Sequence, residues 1–105
     1  MTAAADGDVR VADNPAQLRY ELHLGDTLAG YLAYRAEPGT LVLVHTDVDP
    51  AYEGRGLGSR LIGGALDDIR ARGLLLVPLC QFVAAYLRRH PEYADLVVHD
   101  PEVSD

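Results

Sequence analysis

The sequence predicts an α+β fold, a mixed sheet with two main helices, on two observations. The first half of the chain alternates apolar and polar residues between turn signals, as an antiparallel meander does. The second half has two stretches with helical spacing of apolar residues, separated by a short apolar strand. A strand–helix–strand unit is almost always a right-handed crossover between parallel strands. We therefore expect a sheet that is antiparallel at first and parallel at the crossover.

Four strands are predicted in the meander: Val9–Ala12, Leu18–Leu24, Thr27–Arg35 and Thr40–Val48. Turns at Gly25-Asp26 and Pro38-Gly39 separate the last three strands. The fourth strand is a nearly unbroken run of apolar and β-branched residues, which is typical of a strand covered on both faces.

The crossover helix is predicted to begin at Gly56 and to end at Arg72-Gly73. Its inward positions are Leu57, Leu61, Ile62, Ala65, Leu66 and Ile69. Gly63 and Gly64 lie inside this helix, where each costs roughly 1 kcal/mol relative to alanine. We expect these two glycines to allow close packing on the sheet; the alternative is a bound ligand.

After the crossover we predict a buried strand at Leu74–Val77, a second helix at Cys80–Arg89 and a last strand at Leu96–His99. The inward residues of the second helix are predicted to be Phe82, Val83, Tyr86 and Leu87. Pro91 stops this helix.

The composition indicates one soluble globular domain. The chain has 105 residues, 49% hydrophobic and 24% charged, and we place the domain at residues 9–99, with flexible ends at 1–8 and 100–105. We find no membrane span and no signal peptide. The single cysteine suits a reducing compartment, so we expect a cytoplasmic protein. A net charge of -7 disfavours nucleic acid and anionic membranes as partners.

A glycine loop between the fourth strand and the first helix is the most informative segment. Gly54, Gly56 and Gly58 occupy every second position. Glycine lets a ligand approach the backbone, and a helix start offers free amides and a positive dipole end to phosphate. The absence of lysine excludes a Walker loop, and the even spacing does not fit a dinucleotide fingerprint. The alternative is a tight turn without a ligand.

Together with other motifs, the loop makes the chain resemble the GCN5-related N-acetyltransferases, whose acetyl-CoA loop reads Arg/Gln-x-x-Gly-x-Gly/Ala. It is similar to a small single-domain branch of them. The shared motifs are His45-Thr46, the loop at 53–58, Pro78-Leu79-Cys80 and His90-Pro91-Glu92-Tyr93. The resemblance covers roughly residues 20–98.

The resemblance implies that the cofactor is acetyl-CoA. Backbone amides of Arg55 to Ser59 would hold its pyrophosphate, and the pantetheine arm would lie between strands 40–48 and 74–77. Glu53 departs from the usual Arg or Gln, although the amides do not depend on that side chain. The expected cofactor contacts are Val48, Glu53, Gly54, Arg55, Gly56, Leu57, Gly58, Ser59, Arg60, Cys80 and Tyr86.

Acetyl transfer to an amine needs a base and a proton donor for the departing thiolate. His45 is the candidate base because its ordinary pKa lies near neutrality. The alternative is a hydrogen-bonded core histidine. Asp47 and His90 are weaker candidates, and proton transfer through water would make no single residue essential. Tyr86 matches the position at which members of the superfamily carry a tyrosine that protonates the thiolate, and its spacing also fits a core aromatic.

Cys80 is the third candidate for chemistry. It lies at a helix start, where the dipole favours thiolate. It could face the CoA sulfur, accept the acyl group or form a mixed disulfide with CoA; the alternative is a small buried hydrophobe. Arg88-Arg89 could hold the CoA 3′-phosphate or simply suit the helix end. Zinc-ligand spacing is lacking, so we predict no metal.

The sequence thus predicts an acetyl-CoA-dependent N-acetyltransferase that transfers acetyl directly to an amine. The alternatives are a non-catalytic CoA or acyl-CoA binding module and a structural domain without a ligand. An acidic surface favours a cationic acceptor, either a small molecule or a peptide. We expect a monomer or a weak homodimer.

Overall fold

The computed structural model describes residues 8–52 and 54–98. Five strands form one sheet in sequence order: β1 Val9–Asn14, β2 Arg19–Leu24, β3 Thr27–Glu37, β4 Thr40–Val48 and β5 Leu75–Pro78. The first four strands pair antiparallel, and β4 and β5 pair parallel. Helix α1 (Leu57–Ala71) connects β4 to β5, and helix α2 (Gln81–Arg89) follows β5. The predicted mixed sheet with two main helices is confirmed.

Three short 3₁₀ helices complete the described part: Pro15–Gln17, Pro50–Tyr52 and Pro91–Leu96. The predicted last strand is wrong, because Leu96 ends the third of these helices and Val97 forms only an isolated bridge to Leu76. A proline at the first position favours this helical turn. His99 and most of the predicted flexible ends, residues 1–7 and 100–105, lie outside the described residues.

The core lies between α1 and one face of the sheet. Fully buried side chains from the two layers are Tyr20, Leu22, Leu32, Leu43 and Leu76 from the strands, and Leu61, Ile62, Leu66 and Ile69 from α1. Each such side chain contributes about 1.5–3 kcal/mol through burial. Among the helices of residues 8–52 and 54–98, none has the length and apolar content that a bilayer crossing requires.

The two glycines inside α1 serve different partners. A Cβ added to Gly64 would lie 2.8 Å from Cβ of Val11 on β1, as expected for packing on the sheet. A Cβ added to Gly63 would instead lie 2.8 Å from the hydroxyl oxygen of Tyr86 on α2. The prediction of sheet packing is therefore right for Gly64 and wrong for Gly63, against which the second helix packs.

A β-bulge in β4 decides which residues face α1. Tyr34 pairs with Leu43 and Ala33 pairs with His45, so Val44 is the extra residue. A bulge of one residue reverses the facing of everything beyond it. Thr46, opposite buried Leu32, therefore points to the α1 side.

Strands β4 and β5 separate immediately before the bulge at Val44. Their pairing ends at Leu43 and Pro78, and the amides of Leu79 and Cys80 both donate to the carbonyl of Leu43 at 3.0 Å. From there β4 continues to Val48 while the chain turns into α2. The expectation that β4 is covered on both faces therefore fails beyond the bulge, where His45 and Asp47 are exposed.

Candidate functional site

A cleft of about 400 Å³ opens where β4 and β5 part. It lies between the end of β4, the glycine loop and the first turn of α2. Its lining residues are Thr46, Asp47, Val48, Tyr52, Gly54, Gly56, Leu57, Gly58, Ser59 and Phe82. Six of these, from Val48 and from the loop, belong to the set expected from the sequence.

The glycine loop needs glycine at two positions for conformational reasons. Gly54 has φ of 84° and Gly56 has φ of 72°, in the left-handed region that other residues rarely adopt. A Cβ added at either position would meet no atom within 4 Å. The space above these two residues is thus open to a ligand.

Helix α1 begins without a side-chain cap from any residue that the structure describes. Its N-cap residue is Gly56, no acidic residue lies in the first turn, and the amide of Arg60 donates to the Gly56 carbonyl at 3.2 Å. The amides of Leu57, Gly58 and Ser59 have no acceptor among residues 8–52 and 54–98. Unpaired amides at the positive end of a helix dipole, beside an open cleft, form an anion site.

Two exposed arginines flank this helix start. The guanidinium of Arg55 lies 5.7 Å from the ring centroid of Tyr52, a cation–π contact at the rim of the cleft. Neither Arg55 nor Arg60 forms an ion pair with any residue that the structure describes. Both are positioned to add positive charge. Glu53, also expected in this site, lies outside the described residues.

Thr46 and Cys80 meet beside the cleft. The Thr46 hydroxyl oxygen is 3.2 Å from the Cys80 sulfur, close enough for a hydrogen bond in either direction. Cys80 is buried, at 8% exposure, and is the N-cap residue of α2. The pair places a hydroxyl and a thiol together where the sheet parts.

A family model described as GCN5-related N-acetyl-transferase matches residues 19–96, most of the chain. The chain belongs to the GCN5-related N-acetyltransferase family. It is therefore an acetyltransferase by family, and the predicted resemblance to this family is confirmed. Members of this family generally use acetyl-CoA.

Two solved structures are similar to this family member. The solution structure of a candidate GCN5-like N-acetyltransferase from Staphylococcus aureus has a TM-score of 0.65 and 16% identity, over 91% of this chain and 94% of that one. At this identity the likeness shows the fold alone. A candidate acetyltransferase of the GNAT family from Desulfovibrio desulfuricans has 28% identity and a TM-score of 0.48, over 72% of this chain and 52% of that one. No curated protein sequence matches the chain.

In this N-acetyltransferase, His45 is not brought together with Cys80. The bulge turns His45 to the face opposite the core, where it is exposed and its ring centroid lies 6.2 Å from that of Tyr31. The alternative of a core histidine is therefore excluded. A role as base stays a prediction, and it requires the amine to approach from this face.

Tyr86 lies between the two helices rather than in the cleft lining. Its hydroxyl abuts Gly63, and its ring stacks on His90 at a centroid distance of 4.0 Å. Burial, together with the carboxylates of Asp67 and Glu92, raises the pKa of Tyr86. The phenol thus stays protonated at neutral pH, as a proton donor must, while its contact with a thiolate stays a prediction.

Phe82 was predicted to face the core, which is wrong. It is 38% exposed and lines the cleft. In the first turn of α2 the strands have already parted, so the ring has open cleft beside it. Val83 and Tyr86 are buried as predicted, and Leu87 is partly buried.

Sequence reasoning also missed Thr46 and Tyr52 as lining residues. The aromatic residue directly before the loop was a signal for Tyr52. Thr46 belongs to the His45-Thr46 motif, but its facing could not be predicted because it depends on the bulge.

Of the remaining candidates, Asp47 is exposed and lines the cleft, whereas Arg88, Arg89 and His90 lie outside its lining. Arg88 and Arg89 are exposed in the last turn of α2, and Arg88 lies about 9 Å further along the helix axis than Phe82. His90 lies 3.5 Å from a Glu92 carboxylate oxygen. Within the described ranges no group of three or more His, Cys, Asp or Glu side chains could hold a metal ion.

Proposed function

We propose that this chain binds acetyl-CoA in the cleft and transfers the acetyl group directly to an amine. The observation that carries the proposal is the start of α1. There, amides that lack acceptors within the described residues and open left-handed glycines border a cleft that leads to Thr46 and Cys80. A structural turn alone would not need this cleft.

The residues present fit the cofactor. The amides of Leu57 to Ser59 would hold the pyrophosphate, with Arg55 and Arg60 beside it. Val48 and Phe82 offer apolar walls to the pantetheine arm. Bound acetyl-CoA supplies an activated acyl group as a thioester. These residues fix its position relative to the parted strands.

The two proton transfers are assigned to residues on opposite faces of the sheet. Thr46 and Cys80 lie on the cleft side, where a hydroxyl or thiol can donate a hydrogen bond. Tyr86, kept protonated by burial, is the proposed proton donor to the departing thiolate. Exposed His45 is the proposed base on the opposite face. The amine therefore reaches the thioester through the gap between β4 and β5.

The acceptor is proposed to be a cationic small-molecule or peptide amine. The net charge of -7 favours such a molecule and disfavours nucleic acid. The acceptor amine must lose a proton before it attacks, which is the task assigned to His45. That the protein is a monomer or a weak homodimer, and that it is cytoplasmic, are both predictions.

A non-catalytic CoA or acyl-CoA binding module is the second candidate. It is favoured by one observation, that neither His45 nor Tyr86 lines the cleft. In such a module the loop and cleft would hold the ligand without consuming it.

Calorimetry with CoA, followed by acetyl-CoA turnover with a panel of amines, tests both candidates. We expect CoA binding, turnover with at least one amine, and loss of turnover without loss of binding in His45→Ala and Tyr86→Phe. Binding without turnover in the wild type would favour the module. Absence of CoA binding at tens of micromolar would overturn both.

A further inference from the structure

Phe82 is pressed against the third glycine of the loop. A Cβ added to Gly58 would lie 2.6 Å from Cε2 and 2.8 Å from Cζ of the Phe82 ring. Such distances are shorter than packed carbon atoms allow. Gly58, unlike Gly54 and Gly56, has no positive φ, so its requirement for glycine comes from this ring.

Val48 is a second neighbour of the same glycine. The Cβ built on Gly58 would lie 3.8 Å from Cγ2 of Val48 on β4. Gly58 thus has both a β4 side chain and an α2 ring beside it, and all three residues line the cleft. Both of these side chains are apolar.

We propose that Gly58 and Phe82 form a matched pair that sets the width of the cleft, and that Phe82 contacts the apolar arm of CoA. The inference rests on the proposed function. It gives the partly exposed ring a partner, since a bound pantetheine arm would cover it. It also explains the missing side chain at position 58, because any Cβ there would displace the ring and change the width of the passage.

A double-mutant cycle on CoA affinity tests the pair. We expect Phe82→Ala to weaken CoA binding about tenfold through lost apolar contact, and Phe82→Leu to weaken it less. Gly58→Ala in the wild type should also weaken binding about tenfold. In the Phe82→Ala background the same Gly58→Ala change should cost less than twofold, because no ring remains to be displaced.

Gly64→Ala is the matched control. It adds a Cβ against Val11 on β1, at another crowded position of α1, but away from the cleft lining. We expect it to leave CoA affinity within about twofold. Thermal melts of every variant show that each is folded before binding is measured.

Three results would overturn the inference while leaving the proposed function intact: Phe82→Ala without effect on CoA affinity, an equal loss from Gly58→Ala in both backgrounds, or an equal loss from Gly64→Ala. Wild-type protein that binds no CoA would instead overturn the proposed function itself, and this inference with it.

Discussion

The polar groups at the two ends of helix α1 differ in their hydrogen bonding. At the N-terminal end, the amides of Leu57 to Ser59 and the guanidinium of Arg55 have no hydrogen-bond acceptor within the described residues. At the C-terminal end, Asp68 and Arg72 are bonded to each other and to the sheet.

The C-terminal end fastens the helix to the meander. Arg72 donates to Asp13 at 2.9 Å and to Asp68 at 3.0 Å. The buried Tyr20 hydroxyl donates to Asp68 at 2.7 Å, and the Tyr34 hydroxyl donates to Asp13 at 2.6 Å. One arginine and two carboxylates thus tie β1, β2 and β3 to α1.

The same end also holds the His-Pro-Glu-Tyr segment. Arg70 donates to the Asp95 carboxylate at 2.9 and 3.0 Å and to the Glu92 carbonyl at 2.8 Å. The Tyr93 hydroxyl donates to Asp67 at 2.7 Å. Polar groups satisfied within the chain stabilise the fold, whereas those without an acceptor among the described residues at the other end belong to the proposed ligand site.

The largest expected effect comes from removing hydrogen bonds at the C-terminal end of α1. Asp68→Ala leaves the Tyr20 hydroxyl, at 1% exposure, without its acceptor, so we expect a loss of about 2 kcal/mol in the free energy of unfolding. CoA affinity of the folded protein should not change. Urea denaturation and calorimetry measure the two. Asp68→Asn keeps an acceptor oxygen and should lose less; an equal loss from both variants would contradict this role.

Gly56→Ala should disrupt the proposed ligand site at the N-terminal end of α1 and leave the rest of the fold intact. Its left-handed φ of 72° penalises a side chain by roughly 1–2 kcal/mol, so the loop rearranges and CoA affinity falls about tenfold. Gly39→Ala, with φ of 71° and equally open space in the turn before β4, is the matched control. Both variants should lose similar stability, measured by thermal melts. A similar loss of CoA affinity from Gly39→Ala would refute the assignment.

A third polar cluster surrounds Glu21 on the exposed face of the sheet. Hydrogen bonds from Asn14 at 2.9 Å and from His23 at 2.9 Å lower the pKa of Glu21 from 4.5 to about 2. Because the carboxyl pKa is lower in the folded state than in the unfolded state, ionised Glu21 stabilises the fold at pH values above its unfolded-state pKa. That stability is lost as the pH falls from about 4.5 towards 2. Urea unfolding at successive pH values should show a shallower decline for Glu21→Gln; identical slopes would argue against the cluster.

Arg55→Ala is expected to have the smallest effect. An exposed arginine at the rim contributes less than the backbone amides, so CoA affinity should fall about threefold, and less at high salt. Calorimetry at two salt concentrations measures this. Arg10→Ala removes another exposed arginine, on β1, and should leave affinity unchanged. A loss of a hundredfold from Arg55→Ala would show that the side chain, rather than the backbone, holds the phosphates.

Local patterns predicted most of the fold. Alternation and, for β4, a nearly unbroken apolar run predicted the four meander strands, and helical spacing predicted α1 and α2. The glycine loop was also readable, since its glycines and the following helix are adjacent in sequence. Thr46 and Phe82 were not readable as lining residues, because their facing depends on a bulge against β3 and on where β4 and β5 part. Leu96–His99 failed because Pro91 starts a helical turn there.

The contrast between the two ends of α1 can be measured directly by NMR titration of the labelled protein with CoA. We expect the amide signals of Gly56, Leu57, Gly58 and Ser59 to shift most, while those of Asp67 to Arg72 stay in place. Saturating CoA that leaves the first group unmoved, or that moves the second group as strongly, would contradict a cofactor site built from the backbone at the start of this helix.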